Sequence, residues 1–143
     1  MVEFFTKPDE ARIIAAIGEA ERNTSGEIRV HLEKTLEADA VEEATRTFEQ
    51  LGMHQTAARN GVLIFIAPEH RKFAIIGDEG INQIVGEDFW KEERDLMQEH
   101  FRQGAFADGI CLAIAQVGEK LKAHFPFQTD DTNELSDEIS YSK

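Results

Sequence analysis

The run Gly61-Val62-Leu63-Ile64-Phe65-Ile66-Ala67 is apolar throughout and shows no alternation between the two faces a strand would present. A half-exposed strand alternates apolar and polar residues, so a short, uniformly apolar run bounded by turn residues reads as a strand covered on both faces. Such a run suits a central strand covered by helices on both faces. The flanking sequence is read next for those helices.

Thr6, Pro8, Asp9 and Glu10 form a helix start, with a hydroxyl cap, a proline in the first turn and acids near the positive end of the helix dipole. Ile13, Ile14, Ile17 and Ala20 then share one face, and Asn23-Thr24-Ser25-Gly26 ends the helix. Glu27-Ile28-Arg29-Val30-His31-Leu32-Glu33 alternates strictly and predicts a partly exposed strand. Val41, Ala44, Phe48 and Leu51 form the apolar stripe of a second helix that ends at Gly52. A strand, a helix and a strand in this order predict a parallel crossover pair.

Pro68-Glu69-His70 is a turn, and Arg71 to Gly77 returns as a third strand antiparallel to the second. A short helical turn is expected between Gly80 and Val85. A longer helix capped by Asp88 follows, turning Trp90, Met97 and Phe101 inward. The last helix starts near Asp108, carries Ile110, Ile114, Val117 and Leu121 on one face, and stops at Pro126. These elements predict a single-domain α/β/α sandwich over residues 1–126, with a small mixed sheet flanked by helices. Residues 127–143 are acidic and poor in apolar side chains, and are expected to form a flexible tail.

Twenty-eight acidic residues against fifteen basic ones give a formal net charge of −13. Such a charge repels phosphate backbones and anionic headgroups and attracts cations, which argues against nucleic acid and against a membrane surface. No run is long enough to span a bilayer, and residues 1–7 lack the pattern of a secretory signal, so the expectation is a cytoplasmic protein. The one cysteine, Cys111, lies in an apolar run and reads as a buried thiol.

With this register, three loops meet at one sheet edge: Ser25-Gly26-Glu27 entering the first strand, Asn60-Gly61 entering the second, and Gly77-Asp78-Glu79-Gly80 leaving the third. Asp88 and Asp108, at expected helix starts, approach that edge in this reading. Calcium and magnesium are held by several oxygen ligands. The expected metal ligands are accordingly Glu27, Asn60, Asp78, Glu79, Asp88 and Asp108. Each acid also has an ordinary alternative, as a helix cap for Asp88 and Asp108 and as a solvated strand residue for Glu27.

No GxSxG, HExxH, P-loop or GxGxxG pattern is present, and the five histidines show no pairing at ligand spacing. His31 reads as the polar face of a strand and His70 as a turn residue. The acidic run Asp130-Asp131-Thr132-Asn133-Glu134 lacks the central glycine and the spacing of a calcium-binding EF-hand loop.

Four pieces in order resemble the TPM domain: Ser25 to Val30, Asn60 to Ile64, Ile75 to Ile81, and Phe101 with Gly104 to Ile110 and Ala113-Ile114. The tail from Asp131 to Ile139 resembles that of a soluble bacterial subgroup. The resemblance implies a small sheet sandwiched between helices, with the loops of Glu27, Asn60, Asp78 and Asp108 lining the functional edge. It also implies a relation to thylakoid-lumen proteins of photosystem repair, some described as acid phosphatases, and to bacterial proteins that bind calcium or magnesium. Three functions are expected in order: a divalent-cation module with a regulatory or interaction role, a metal-dependent phosphatase-like hydrolase, and a scaffold whose acidic tail engages a basic protein.

Overall fold

In the computed structural model, which describes residues 4–86, 88–127 and 136–142, the apolar run becomes the central strand β2, Gly61–Ala67, buried at all seven positions. β2 pairs in parallel with β1 (Glu27–Leu32) and antiparallel with β3 (Lys72–Gly77). The mixed sheet has the order β3-β2-β1-β4, where β4 is Ser140–Tyr141. The hairpin between β2 and β3 closes through a short 3-10 turn at Pro68–His70, with Arg71 in the left-handed region at φ 54°.

The two faces of β2 feed two separate cores. Val62, Ile64 and Ile66 join Ile28, Val30 and Leu32 beneath α1 (Lys7–Glu21), α4 (Lys91–Arg102) and α5 (Phe106–His124). Leu63, Phe65 and Ala67 pack with Ala44 and Phe48 of α2 (Ala40–Gln50) on the opposite face. Helices on both sides of a four-stranded sheet make the chain an α/β sandwich. Each fully buried aliphatic side chain contributes on the order of 1.5–3 kcal/mol of burial free energy, so the larger core dominates the apolar term.

Thr6 caps α1 by accepting the Asp9 N–H at 3.2 Å, as its sequence position suggests. Asp88 does not cap α4. The buried Trp90 stands at the helix boundary without a side-chain cap, its ring edge-on to Phe89 at 4.5 Å, so ring burial rather than a carboxylate sets where this helix begins. α5 begins at Phe106, which places Asp108 inside the first turn rather than at the cap.

Two further differences concern exposure. Val41 is expected on the inward stripe of α2 but is 54% exposed. The polar face of β1 is expected to be solvated, yet Glu27 and His31 are 3% and 5% exposed. β1 lies inside the sheet because residues of the carboxyl-terminal tail form β4 along its outer side, pairing His31 with Ser140 and Leu32 with Tyr141. The flexible tail expected over 127–143 is therefore docked at 136–142, with Ile139 buried in the larger core. The acidic run Asp130 to Glu134 lies outside the described residues.

Candidate functional site

Parallel pairing of Glu27 with Gly61 and antiparallel pairing of Val62 with Gly77 bring the start of β1, the start of β2 and the end of β3 to one edge. Backbone bonds tie this edge together: the Glu27 N–H donates to the Asn60 carbonyl at 3.4 Å, and the Asp78 N–H to the Gly61 carbonyl at 2.9 Å. Asp78 ends β3 and caps the short helix α3 (Glu79–Asn82), accepting the Glu79 N–H at 2.7 Å.

The carboxylate of Asp78 is buried, at 5% exposure, and is clamped by Arg59, whose Nε and Nη2 lie 2.8 and 2.9 Å from its two oxygens. Glu79 reaches the same guanidinium at 3.3 Å. The hydrogen bond to Asp78 holds Arg59 more firmly protonated than a free arginine. Arg59 itself sits at φ 52°, a conformation uncommon for a side chain larger than glycine. Its carbonyl accepts the Gly80 N–H at 2.8 Å, locking the loop before β2 onto the start of α3. Arg59 was missed in the sequence, where its only signal is its place next to Asn60 and opposite the loop after β3.

Asn60 is 1% exposed. Its amide donates to Ser25 Oγ at 3.3 Å, while its Oδ1 accepts no hydrogen bond among the described residues. A cavity of about 680 Å³ opens beside this edge, with an apolar wall from Val41, Phe48, Ile76 and Trp90 and polar groups from Arg59, Asp78, Glu79 and Arg94.

The backbone thus brings Glu27, Asn60, Asp78 and Glu79 to one edge of the sheet. It does not bring Asp108 there. Leu121, near the far end of α5, lies against Gly26, where an added Cβ would come within 2.8 Å of its Cδ1. Asp108 stands earlier on the same helix, 121 − 108 = 13 residues away, or about 20 Å at the usual helical rise. There it meets Arg12 of α1 at 2.6 Å. Asp88 is exposed in the segment before α4, where its carbonyl accepts the Lys91 N–H at 3.0 Å. Among the described residues no group of three or more His, Cys, Asp or Glu side chains is arranged to hold a metal ion.

The other singled-out residues have local roles. His70 accepts the Leu36 N–H at 3.1 Å, and His31 stacks on Phe65 at 5.5 Å. Cys111 is half-buried, and burial pushes its thiol above the usual range.

A family model for the TPM domain matches residues 1–120. The chain belongs to the TPM domain family. Among solved structures, the NMR structure of BA42 from the psychrophilic bacterium Bizionia argentinensis is 46% identical, covers 99% of this chain and 98% of its own, and superposes with a TM-score of 0.92. The N-terminal domain of a P. gingivalis protein is 19% identical, covers 85% of this chain and 78% of its own, and gives a TM-score of 0.69. The N-terminal domain of cg2496 from Corynebacterium glutamicum is 15% identical, covers 97% of this chain and 80% of its own, and gives 0.65. At these identities the last two TPM-like neighbours speak to the fold alone. No curated protein matches the chain. No helix among the described residues is long and apolar enough to cross a membrane.

Proposed function

We propose that this TPM domain binds a divalent cation, calcium or magnesium, at the sheet edge formed by Glu27, Asn60, Asp78 and Glu79. The observation that carries the reading is the Oδ1 of Asn60, buried at 1% exposure and accepting no hydrogen bond among the described residues. An unmet buried acceptor costs about 1–3 kcal/mol, and an ion at this edge would remove that cost while drawing on oxygen ligands. In the absence of metal, Arg59 neutralises Asp78 and Glu79. Cation entry therefore requires the guanidinium to swing away, and binding is a competition between two cations for one carboxylate.

Titration of chelator-treated protein with calcium and with magnesium, followed by backbone amide shifts and thermal unfolding, tests the reading. An ion that binds only the native state stabilises it by about 2.7 kcal/mol at a hundredfold excess over Kd. Asp78→Asn with Glu79→Gln should abolish the response, and Arg59→Gln should tighten binding by removing the competitor. If amides of residues 25–27, 59–61 and 78–80 do not move with either metal, the edge is not a cation site.

A second reading, hydrolysis of phosphate esters, draws on the presence of Arg59 and Arg94 in the lining of the same cavity as Asp78, because guanidinium groups suit phosphate oxygens. Metal-dependent release of phosphate from several esters, lost in Arg94→Gln, would favour it. Its absence in purified protein would end it.

A further inference from the structure

The end of the sheet opposite the Asp78 edge holds a second cavity, of about 580 Å³. It opens beside the hairpin turn, where β2 ends and β3 begins. A full length of β2, about 20 Å for a seven-residue strand, separates it from that edge. Its volume suits a small organic molecule.

Three cations line this cavity: Arg71 from the turn, Lys72 from the first position of β3 and Arg102 from the last turn of α4. No described Asp or Glu lines it, although acids outnumber bases by 28 to 15 in the chain. All three cations are exposed, and none makes a side-chain hydrogen bond or ion pair with a described residue. Elsewhere on the surface Arg12, Arg22, Arg46 and Lys91 each find a carboxylate. Arg71 also stands in the left-handed region at φ 54°, where glycine is the easier residue, so a guanidinium is kept here against the backbone preference.

The rest of the wall is largely aromatic. Phe73, Phe101 and Phe106 are half-buried and form a continuous row, with ring centres 5.3 Å apart between Phe73 and Phe101 and 5.2 Å apart between Phe101 and Phe106. Ile66 and Pro68 add aliphatic surface. Guanidinium groups match the oxygens of a phosphate, and aromatic rings pack edge-on or offset against a further ring.

We propose that this cavity binds a small aromatic molecule that carries a phosphate group, with Arg71, Lys72 and Arg102 taking the phosphate and the row of Phe73, Phe101 and Phe106 taking the ring. Three cations suit a doubly charged phosphate better than a single carboxylate. A long polyanion is a poor occupant, because a chain of net charge −13 repels whatever extends beyond the cavity. The site is independent of any cation at the Asp78 edge.

The test titrates the full chain, in chelator-treated buffer, with phenylphosphonate, whose carbon–phosphorus bond is not an ester and so survives any esterase activity. Amide resonances of residues 66–68, 71–73 and 101–106 should move together. Benzoate, inorganic phosphate and benzyl alcohol each lack part of the match and should bind about tenfold more weakly or worse. Arg71→Gly removes a cation while easing the left-handed backbone, and Arg102→Gln removes one while keeping a long polar side chain. Each should weaken binding by about tenfold, the worth of one charge-assisted hydrogen bond, with the amide spectrum away from the cavity unchanged. Inorganic phosphate binding as tightly as phenylphosphonate, or unchanged binding in both arginine variants, would overturn the proposal. So would shifts confined to residues 25–27, 59–61 and 78–80, or no shift at all.

Discussion

Lys120 of α5 reaches across to α4 and meets the fully buried carboxylate of Glu93 at 2.8 Å. The same ammonium lies 5.0 Å from the centre of the Phe89 ring. This cation serves Glu93 Oε1, while Glu93 Oε2 is buried with no hydrogen-bond partner among the described residues. Removing a single partner from such a pair leaves a buried charge uncompensated.

Lys120→Met should therefore cost about 3 kcal/mol in urea denaturation. Glu93→Gln should cost less, and Glu93→Leu combined with Lys120→Met should recover much of the loss. Equal effects of the two single substitutions, with no coupling in the double mutant, would contradict this account.

At the candidate site, Asp78→Ala removes the cap of α3 and should cost about 1 kcal/mol from the cap alone. Asp78→Asn keeps a capping oxygen, so most of that part should be retained. The comparison of denaturation midpoints separates capping from the contact with Arg59.

Gly80 should not tolerate a side chain. A Cβ there would fall 2.3 Å from the Ala58 carbonyl and 2.6 Å from that of Arg59, and both are backbone atoms. Gly80→Ala is expected to destabilise by about 1–3 kcal/mol through forced movement of the loop. It should also shift the amide resonances of residues 58–60.

His31 sets a pH dependence of the whole fold. Burial holds its folded pKa below the ordinary 6.5, with Glu33 opposing. Its contribution to stability is present above the unfolded value and is lost as pH falls below about 6.5, because the unfolded chain then binds the proton more readily. Glu21, pushed up to about 10 mainly by burial, acts in the opposite direction over the same range, so the His31 part is read by difference in denaturation experiments. On going from pH 7 to pH 5, His31→Gln should gain stability relative to the unsubstituted chain, and an unchanged difference would contradict this account.

Much of the fold is legible in local pattern. The uniform run of β2, the period of α1 and α5 and the turn at Pro68 to His70 each follow from chemistry confined to a few consecutive residues, which is why the parallel pair and the hairpin could be read directly. The backbone adjacency of Glu27, Asn60 and Asp78 followed from that register. β4 was not legible: its two residues carry no periodicity, and it exists because Ile139 finds the core and β1 offers an unpaired edge.

Arg59 and Asp108 mark the same boundary between local and distant information. Sequence determined that acids gather in glycine-containing loops, but not that an arginine next to Asn60 adopts a left-handed turn and clamps Asp78. Nor did it determine that α5 runs from Arg12 at one end to Gly26 at the other, carrying Asp108 away from the edge. Local propensity and patterning fix which element forms. The length and direction of a helix packed on a sheet fix which of its residues meet, and those are properties of the whole folded chain.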